Sequence, residues 1–166
     1  MVCWAQIQPR VLFRWRQFQD LRSAGSSKEE PLKRARILLA DDHAEFLSLA
    51  AGLVESEFEV LKTFTSGQAV VDEFGMLNPD LVVLDISMPG LNGIEAALKL
   101  KAEGRNAKVV FLTVHKDADY LRSALATGAL GYVVKERLAS DLIPALRSAL
   151  AGHRFVSCAL SPEEDA

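Results

Sequence analysis

Five polar residues, each at the end of a short apolar run, could together carry out phosphoryl-group chemistry. They are Asp41, Asp42, Asp85, Thr113 and Lys135. Three neighbouring carboxylates repel one another unless a cation neutralises them, and Mg²⁺ prefers such oxygen ligands. One carboxylate could then attack phosphorus, while the cation, the hydroxyl and the ammonium group stabilise the phosphoryl oxygens. These residue types therefore predict a Mg²⁺-dependent aspartyl-phosphate site.

The five residues meet only if the apolar runs that precede them form one sheet. The pattern predicts strands at residues 36–40, 58–64, 80–85, 108–113 and 131–135. Helical spacing, with Gly near several ends, predicts helices at residues 44–56, 67–77, 93–104, 118–128 and 138–152. Most of these strands are apolar throughout, as in a parallel sheet with helices on both faces. We therefore predict an α/β fold of five βα units, an open doubly wound parallel sheet with its site at the carboxyl ends of the strands.

Charge and cysteine content narrow the class of protein. Residues 1–36 hold eight Lys and Arg against three Asp and Glu, and the remainder holds eleven against nineteen. The acidic body argues against direct nucleic-acid binding, which relies on basic surfaces, so only the basic head could contact DNA. Two cysteines, Cys3 and Cys158, are too few for a disulfide framework. With no run long enough to span a bilayer, we expect a cytoplasmic protein.

The first residues differ in composition from the rest of the chain. Residues 23–31, SAGSSKEEP, have the composition of a linker. Before it, Val11, Trp15 and Phe18 recur at helical spacing among arginines. The head could be a basic amphipathic helix, a disordered tail, or residues that precede the true translation start. We predict an N-terminal extension and linker at 1–34, a folded domain at 35–155 and a short C-terminal tail at 156–166.

Four sequence motifs resemble the receiver domain of two-component response regulators. They are the acidic pair in LLADDH, the run DISMPGLNGIE from Asp85, the threonine in FLTVH and the GYVVK that ends at Lys135. The resemblance covers about residues 36–155. It implies a flavodoxin-like sheet in the order 2-1-3-4-5 and a phosphoacceptor switch, rather than an enzyme, with at most weak self-dephosphorylation.

The same resemblance implies a role for each site residue. Asp85 resembles the phosphoacceptor, and Thr113 and Lys135 resemble the groups that contact the phosphoryl oxygens. Asp42, Asp85 and the backbone carbonyl of Ser87 resemble the Mg²⁺ ligands, with Asp41 acting through water. Tyr132 resembles the aromatic residue that changes rotamer on activation. Val114 departs from the family pattern, which usually has a smaller residue there, and should narrow the entrance to the acceptor.

The resemblance also implies partners. A sensor histidine kinase or a histidine phosphotransfer protein would supply the phosphoryl group in a phosphorelay. The altered α4-β5-α5 face would then control an unknown downstream protein, and a homodimer could form on phosphorylation. The sequence after Thr113 resembles that of receivers of the LuxR-type helix-turn-helix subfamily more than that of other receivers. Because the given sequence stops at Ala166, we expect no DNA-binding domain and either a single-domain regulator or a receiver cut from a longer chain.

Several other interpretations of the same residues stay open at this point. Asp42 could cap the first helix, Lys135 could be a surface residue, and Tyr132 could be a static core aromatic. His43 and His115 could be bystanders beside the site. An aspartate-nucleophile phosphohydrolase usually has a second Asp two residues after the nucleophile, where this chain has Ser87. A receiver fold that serves only as a binding scaffold is the other alternative.

Overall fold

A computed structural model describes residues 33–158 and contains one parallel sheet with helices on both faces. The strands are β1 Arg36–Ala40, β2 Glu59–Phe64, β3 Leu81–Leu84, β4 Lys108–Thr113, β5 Gly131–Val134 and β6 Phe155–Val156. The helices are α1 Ala44–Val54, α2 Gly67–Leu77, α3 Gly93–Ala102, α4 Ala118–Ala126 and α5 Leu138–Leu150. A 3-10 turn, Lys135–Arg137, joins β5 to α5. The predicted α/β fold and all five predicted strands and helices are confirmed.

The strand order is β2-β1-β3-β4-β5-β6, and every neighbouring pair is parallel. The sheet therefore has six strands, whereas the sequence predicted five. The extra strand has only two residues, too few to show a period. Backbone hydrogen bonds fix it beside β5, from the Phe155 amide to the Leu130 carbonyl and from the Ser157 amide to the Tyr132 carbonyl, each 2.9 Å long. The expected order of the first five strands is confirmed.

Alternate residues along each strand pack into two separate apolar clusters, one on each face of the sheet. On one face, Ile37 and Leu39 of β1 pack with α1 and α5. On the other, Leu38 and Ala40 of the same strand pack with α2, α3 and α4. Because both faces are covered, β1, β3, β4 and β5 are buried almost along their whole length. This packing holds the strand ends in fixed relative positions.

None of the helices between residues 33 and 158 has the length and hydrophobicity that a bilayer-spanning segment needs. The predicted basic head and linker, residues 1–34, lie almost entirely outside the described residues, as does the predicted tail beyond residue 158. The helical interpretation of Val11, Trp15 and Phe18 falls there too. The predicted domain boundaries therefore stay predictions.

A buried carboxylate anchors β6 to the body of the domain. Asp141, 5% exposed in the first turn of α5, accepts hydrogen bonds from Arg137 Nε at 2.9 Å and from the hydroxyls of Ser140 and Ser157 at 2.7 Å. The Ser157 hydroxyl also accepts the Val134 amide of β5, at 3.2 Å. Burial alone would raise the pKa of Asp141, but these hydrogen bonds lower it below its usual value. The folded protein thus favours the ionised form.

We expect Asp141→Asn to lower the free energy of unfolding by about 2 kcal/mol at neutral pH, the usual scale for hydrogen bonds to a charged group. A carboxyl whose pKa is lowered on folding stabilises the protein above its unfolded pKa, 3.8 here, and that contribution disappears as the pH falls through the folded pKa. Urea unfolding should therefore show a difference from the native protein that shrinks below about pH 4. Asp72→Asn, at an exposed carboxylate bonded to Gln68, is the control and should change stability by under about 0.5 kcal/mol. Equal losses for the two variants would contradict the prediction.

Candidate functional site

The carboxyl-terminal edge of the sheet brings the predicted site residues together. Asp41 follows β1, Asp85 follows β3, Thr113 ends β4 and Lys135 follows β5. In the parallel register Ala40 pairs with Leu84, and Thr113 pairs with Val134. The residues that follow these pairs therefore emerge side by side from adjacent strands. This is the edge at which doubly wound sheets bind their ligands.

Lys135 lies between two buried carboxylates. Its ammonium nitrogen makes an ion pair with Asp41 Oδ2 and lies 3.3 Å from Asp85 Oδ2. The three side chains are only 11%, 4% and 3% exposed, respectively. The same nitrogen sits 4.5 Å from the centre of the Phe46 ring on α1, within range of a cation–π contact. Lys135 is thus a largely buried member of the site and not a surface residue.

Asp85 occupies an environment that opposes its ionisation. Burial, and to a smaller degree the negative charge of Asp41, raise the pKa of Asp85. The charge of Lys135 and the Ser87 amide, which lies 3.4 Å from Asp85 Oδ1, lower it. The pKa ends above its usual value because desolvation is the largest effect. A carboxylate in this position gains from any further positive charge brought close to it.

The carboxylates of Asp41, Asp42 and Asp85 form an acidic cluster with the donors that a metal ion requires. Ligand atoms of Asp41, Asp42, His43 and Asp85 all lie within 4.8 Å of one another. Asp42 Oδ1 is buried and accepts no hydrogen bond; its 2.9 Å contact with His43 Nδ1 lacks hydrogen-bond geometry. Carboxylate oxygens are the preferred ligands of hard divalent cations. The residues therefore fit a metal ion of this kind.

Asp42 does not cap the first helix. The N-cap of α1 is His43, and no side chain caps that helix end. Asp42 keeps 28% of its side chain exposed beside the buried Asp41. The capping interpretation is therefore wrong, and the Asp42 carboxylate stays available to the acidic cluster.

Thr113 and Tyr132 are connected through the backbone of His115. The Thr113 hydroxyl, on a fully buried side chain, accepts the His115 amide at 3.2 Å. The Tyr132 hydroxyl donates to the His115 carbonyl at 3.1 Å, and burial raises the pKa of Tyr132 to about 12. The ring of Tyr132 is fully buried under this loop. A change in the loop that starts at Thr113 would therefore break a contact of Tyr132.

The loop after Asp85 has a fixed shape. Gly90 adopts a φ of 75°, which other residues rarely adopt. Gly93 approaches the Asp85 carbonyl so closely that a Cβ would collide with it. Asn92 then starts α3 with a capping box that includes Glu95. This loop shape keeps the Ser87 backbone next to the acidic cluster.

A side-chain contact bridges the two loops that border Asp85. The Ser87 hydroxyl lies 2.6 Å from His115 Nε2, and the His115 ring stacks on Tyr120 with ring centres 3.9 Å apart. Val114 is 62% exposed and lines, with Lys135 and residues of α1, an open cavity of about 470 Å³ beside the site. The predicted narrowing by Val114 concerns access to Asp85 and stays a prediction.

The family model of the response regulator receiver domain matches residues 37–147. The chain belongs to the response regulator receiver family. Receivers of two-component systems accept phosphoryl groups on an aspartate from a histidine kinase. The family is one of phosphoacceptor switches.

Named relatives and solved structures are similar to this receiver. It is 34% identical to the transcriptional regulatory protein DegU of Brevibacillus brevis over 74% of this chain and 53% of that protein. It is also 34% identical to the nitrate/nitrite response regulator NarL of Escherichia coli K12, over 82% and 62% respectively. A LuxR-family response regulator from Aurantimonas sp. SI85-9A1 superposes with a TM-score of 0.73 at 29% identity, covering 76% of this chain and 92% of that one. The chain spans a little over half the length of the two regulators.

Some contacts in this receiver site could not be found from the sequence. Phe46 is five residues from Asp41 and lies inside an ordinary apolar helix, so nothing in its spacing predicts a contact with Lys135. The bridge between Ser87 and His115 joins residues 28 positions apart. Both contacts depend on how neighbouring βα loops pack, which no local pattern encodes.

Proposed function

We propose that this chain is a phosphorylation-controlled switch of a two-component phosphorelay and that Asp85 accepts the phosphoryl group. The supporting observation is the position of Asp85, a buried carboxylate of the acidic cluster that lies beside Lys135 at the strand edge of a receiver fold. A sensor histidine kinase or a histidine phosphotransfer protein would be the donor. We propose cytoplasmic action and no enzymatic turnover beyond weak self-dephosphorylation.

The reaction proposed for Asp85 transfers a phosphoryl group from a nitrogen of the donor to a carboxylate oxygen of Asp85. An Asp85 oxygen forms a bond to phosphorus while the bond from phosphorus to the donor nitrogen breaks, and the electron pair leaves with that nitrogen. Lys135 and the Thr113 hydroxyl are the groups proposed to contact the phosphoryl oxygens. Because Lys135 already touches Asp85, its charge is in place before the donor arrives.

Mg²⁺ is the proposed metal. Asp42, Asp85 and the backbone carbonyl of Ser87 would hold it directly, and Asp41 would act through water. When bound, the ion supplies positive charge that offsets the repulsion among the carboxylates and between donor and acceptor. The buried Asp42 Oδ1 without a hydrogen bond supports this assignment.

The proposed output is a change of the α4-β5-α5 face. The Thr113 hydroxyl, drawn toward the new phosphoryl charge, would alter the loop whose His115 backbone holds both Thr113 and Tyr132. The Tyr132 position would then differ between the two states, and a downstream protein or a second copy of the chain would bind one state more tightly. The unbroken path from Thr113 to Tyr132 supports this switch role.

The test is phosphorylation of the purified chain by a small phosphodonor, acetyl phosphate, with Mg²⁺. We expect a band on a phosphate-affinity gel that hydroxylamine removes and that EDTA prevents from forming. A folded protein that binds Mg²⁺ yet forms no such band with the donor or with histidine kinases would favour the binding-scaffold alternative.

We expect Asp42→Asn to weaken Mg²⁺ binding at least about tenfold, because it removes a direct ligand of the ion. Isothermal titration calorimetry gives the affinity, and the gel assay should show a matching fall in phosphorylation. Glu45→Gln is the matched control, since Glu45 borders the cavity beside the site but lies outside the acidic cluster. Equal effects of the two variants would mean that general negative charge attracts the ion and that Asp42 is not a ligand.

A further inference from the structure

The imidazole of His43 lies against the acidic cluster. Its Nδ1 forms a 3.2 Å hydrogen bond with Asp41 Oδ1 and lies 2.9 Å from Asp42 Oδ1. The His43 amide also donates to Asp41 Oδ1, at 2.9 Å, which holds the backbone in place at the start of α1. Because the ring is 70% exposed, it can turn without disturbing the core. A nitrogen donor thus stands beside the oxygen donors.

This nitrogen lies close enough to the carboxylates to contact the same cation as they do. It belongs to the set of four groups whose ligand atoms lie within 4.8 Å of one another. The set includes Asp41, whose side chain is only 4% exposed, and Asp42, whose buried Oδ1 accepts no hydrogen bond. A cation between these oxygens would be within reach of His43 Nδ1.

Ligand type determines which cations would benefit from the imidazole. Mg²⁺ is a hard ion that takes oxygen ligands and retains several waters. Imidazole nitrogen instead suits first-row ions such as Ni²⁺, Cu²⁺ and Zn²⁺. A site with three carboxylates and one imidazole can therefore accept both kinds of ion with different ligand sets.

We infer that His43 is a nitrogen ligand of the acidic site and gives it a second binding mode, selective for imidazole-preferring first-row divalent cations. In this mode Nδ1 of His43 joins the carboxylates of Asp41, Asp42 and Asp85. In the Mg²⁺ mode the imidazole is not a ligand. The inference rests on the proposed function because both modes share the same carboxylates.

A simpler role for His43 makes a different prediction. If the imidazole were only a positive partner of the carboxylates, it would compete with every cation, and its removal would strengthen Ni²⁺ and Mg²⁺ binding alike. As a ligand, it favours Ni²⁺ alone. Any site of this kind binds Ni²⁺ more tightly than Mg²⁺, so a higher Ni²⁺ affinity of the native protein does not by itself test the inference. The informative quantity is the change in each affinity when His43 is replaced.

The experiment is calorimetric titration of the full chain with NiCl₂ and, separately, MgCl₂. We expect His43→Asn to weaken Ni²⁺ binding about tenfold, a change typical of altered metal coordination, and to leave Mg²⁺ binding within about twofold. His153→Asn is the matched control, since that imidazole is exposed and lies outside the acidic cluster. It should leave both affinities unchanged.

Proton NMR of the three histidines provides a second readout. Substoichiometric Ni²⁺ should broaden the ring signals of His43 before those of His115 and His153. An unchanged Ni²⁺ affinity in His43→Asn, or an equal change for both ions, would overturn the inference while leaving the Mg²⁺ site intact. A native protein that binds no Mg²⁺ would instead contradict the proposed function, so the two failures are distinguishable.

Discussion

Asp85→Asn is expected to abolish phosphorylation of this chain and to make the metal-free protein more stable. The first effect follows because an amide is not a nucleophile toward phosphorus, whereas the shape of the side chain is kept. In the acetyl phosphate assay the hydroxylamine-sensitive band should disappear completely. Asp117→Asn is the control, because Asp117 precedes α4 and lies outside the acidic cluster. That variant should be phosphorylated like the native protein, and a band that persists in Asp85→Asn would place the acceptor elsewhere.

The gain in stability follows from the raised pKa of Asp85. A carboxyl whose pKa rises on folding makes the folded state bind more protons than the unfolded state. Stability therefore falls as the pH rises from the unfolded value, 3.8, through the folded pKa, and the deficit is complete above it. Asparagine removes this deficit, and we expect the free energy of unfolding in EDTA to rise by roughly 1 kcal/mol at pH 7.5 and by less near pH 4.

The sign of this stability change distinguishes two effects at Asp85. Burial and the charge of Asp41 oppose ionisation, while the ion pair with Lys135 favours it. If Asp85→Asn lowered the free energy of unfolding at pH 7.5, the ion pair would outweigh burial, and the raised pKa would be wrong. Urea unfolding in EDTA at both pH values measures the difference.

The order of polar and apolar residues was enough to predict most of the fold. The near-continuous apolar runs of β1, β3, β4 and β5 indicated strands covered on both faces, and the structure has those strands buried. Once the strands are parallel, residues at their carboxyl ends must share one edge. The meeting of Asp41, Asp85 and Lys135 was therefore predictable from sequence, because it follows from topology alone.

Features that depend on tertiary packing were not predictable. The buried Ser157 and Asp141 hold the two residues of β6 beside β5, and no local sequence pattern indicates this strand. The ion pairs of Lys135 leave no local pattern either. The same limit applies to Phe46, whose role is set by the distance between α1 and the end of β5. The roles of Thr113 and Tyr132 in switching stay predictions, because they concern a second state of the protein.

Lys135→Met is expected to cause the largest loss of stability among the variants considered. Methionine keeps much of the length and the contact with Phe46, since thioethers pack well on aromatic rings, but it removes the charge. Asp41 and Asp85 would then be two buried carboxylates without their cation. Removing one partner of a buried ion pair usually costs about 3–5 kcal/mol. We expect about 3 kcal/mol in urea unfolding at pH 7.5 with EDTA, together with loss of most acetyl phosphate reactivity.

Two changes of condition should reduce this loss. At low pH the carboxylates become protonated and no longer need a cation, so the difference between Lys135→Met and the native protein should shrink as the pH falls toward 4. Saturating Mg²⁺ should also restore part of the stability, because an ion that binds only the folded state stabilises it. A loss that is independent of both pH and Mg²⁺ would indicate a packing defect and contradict the electrostatic explanation.

Lys116 shows why burial, and not the ion-pair distance, determines the size of the effect. Its ammonium nitrogen is 2.6 Å from Glu136 Oε2, closer than Lys135 is to Asp85, but the two side chains are 47% and 70% exposed. Solvent screens such a pair and competes for both charges, so Lys116→Met should change stability by under about 0.5 kcal/mol. Lys135 faces two carboxylates that are almost fully buried, and its removal leaves their repulsion uncompensated. A similar loss of stability in Lys116→Met and Lys135→Met would mean that water solvates the Lys135 site. Its charges would then not be preorganised for the phosphoryl group.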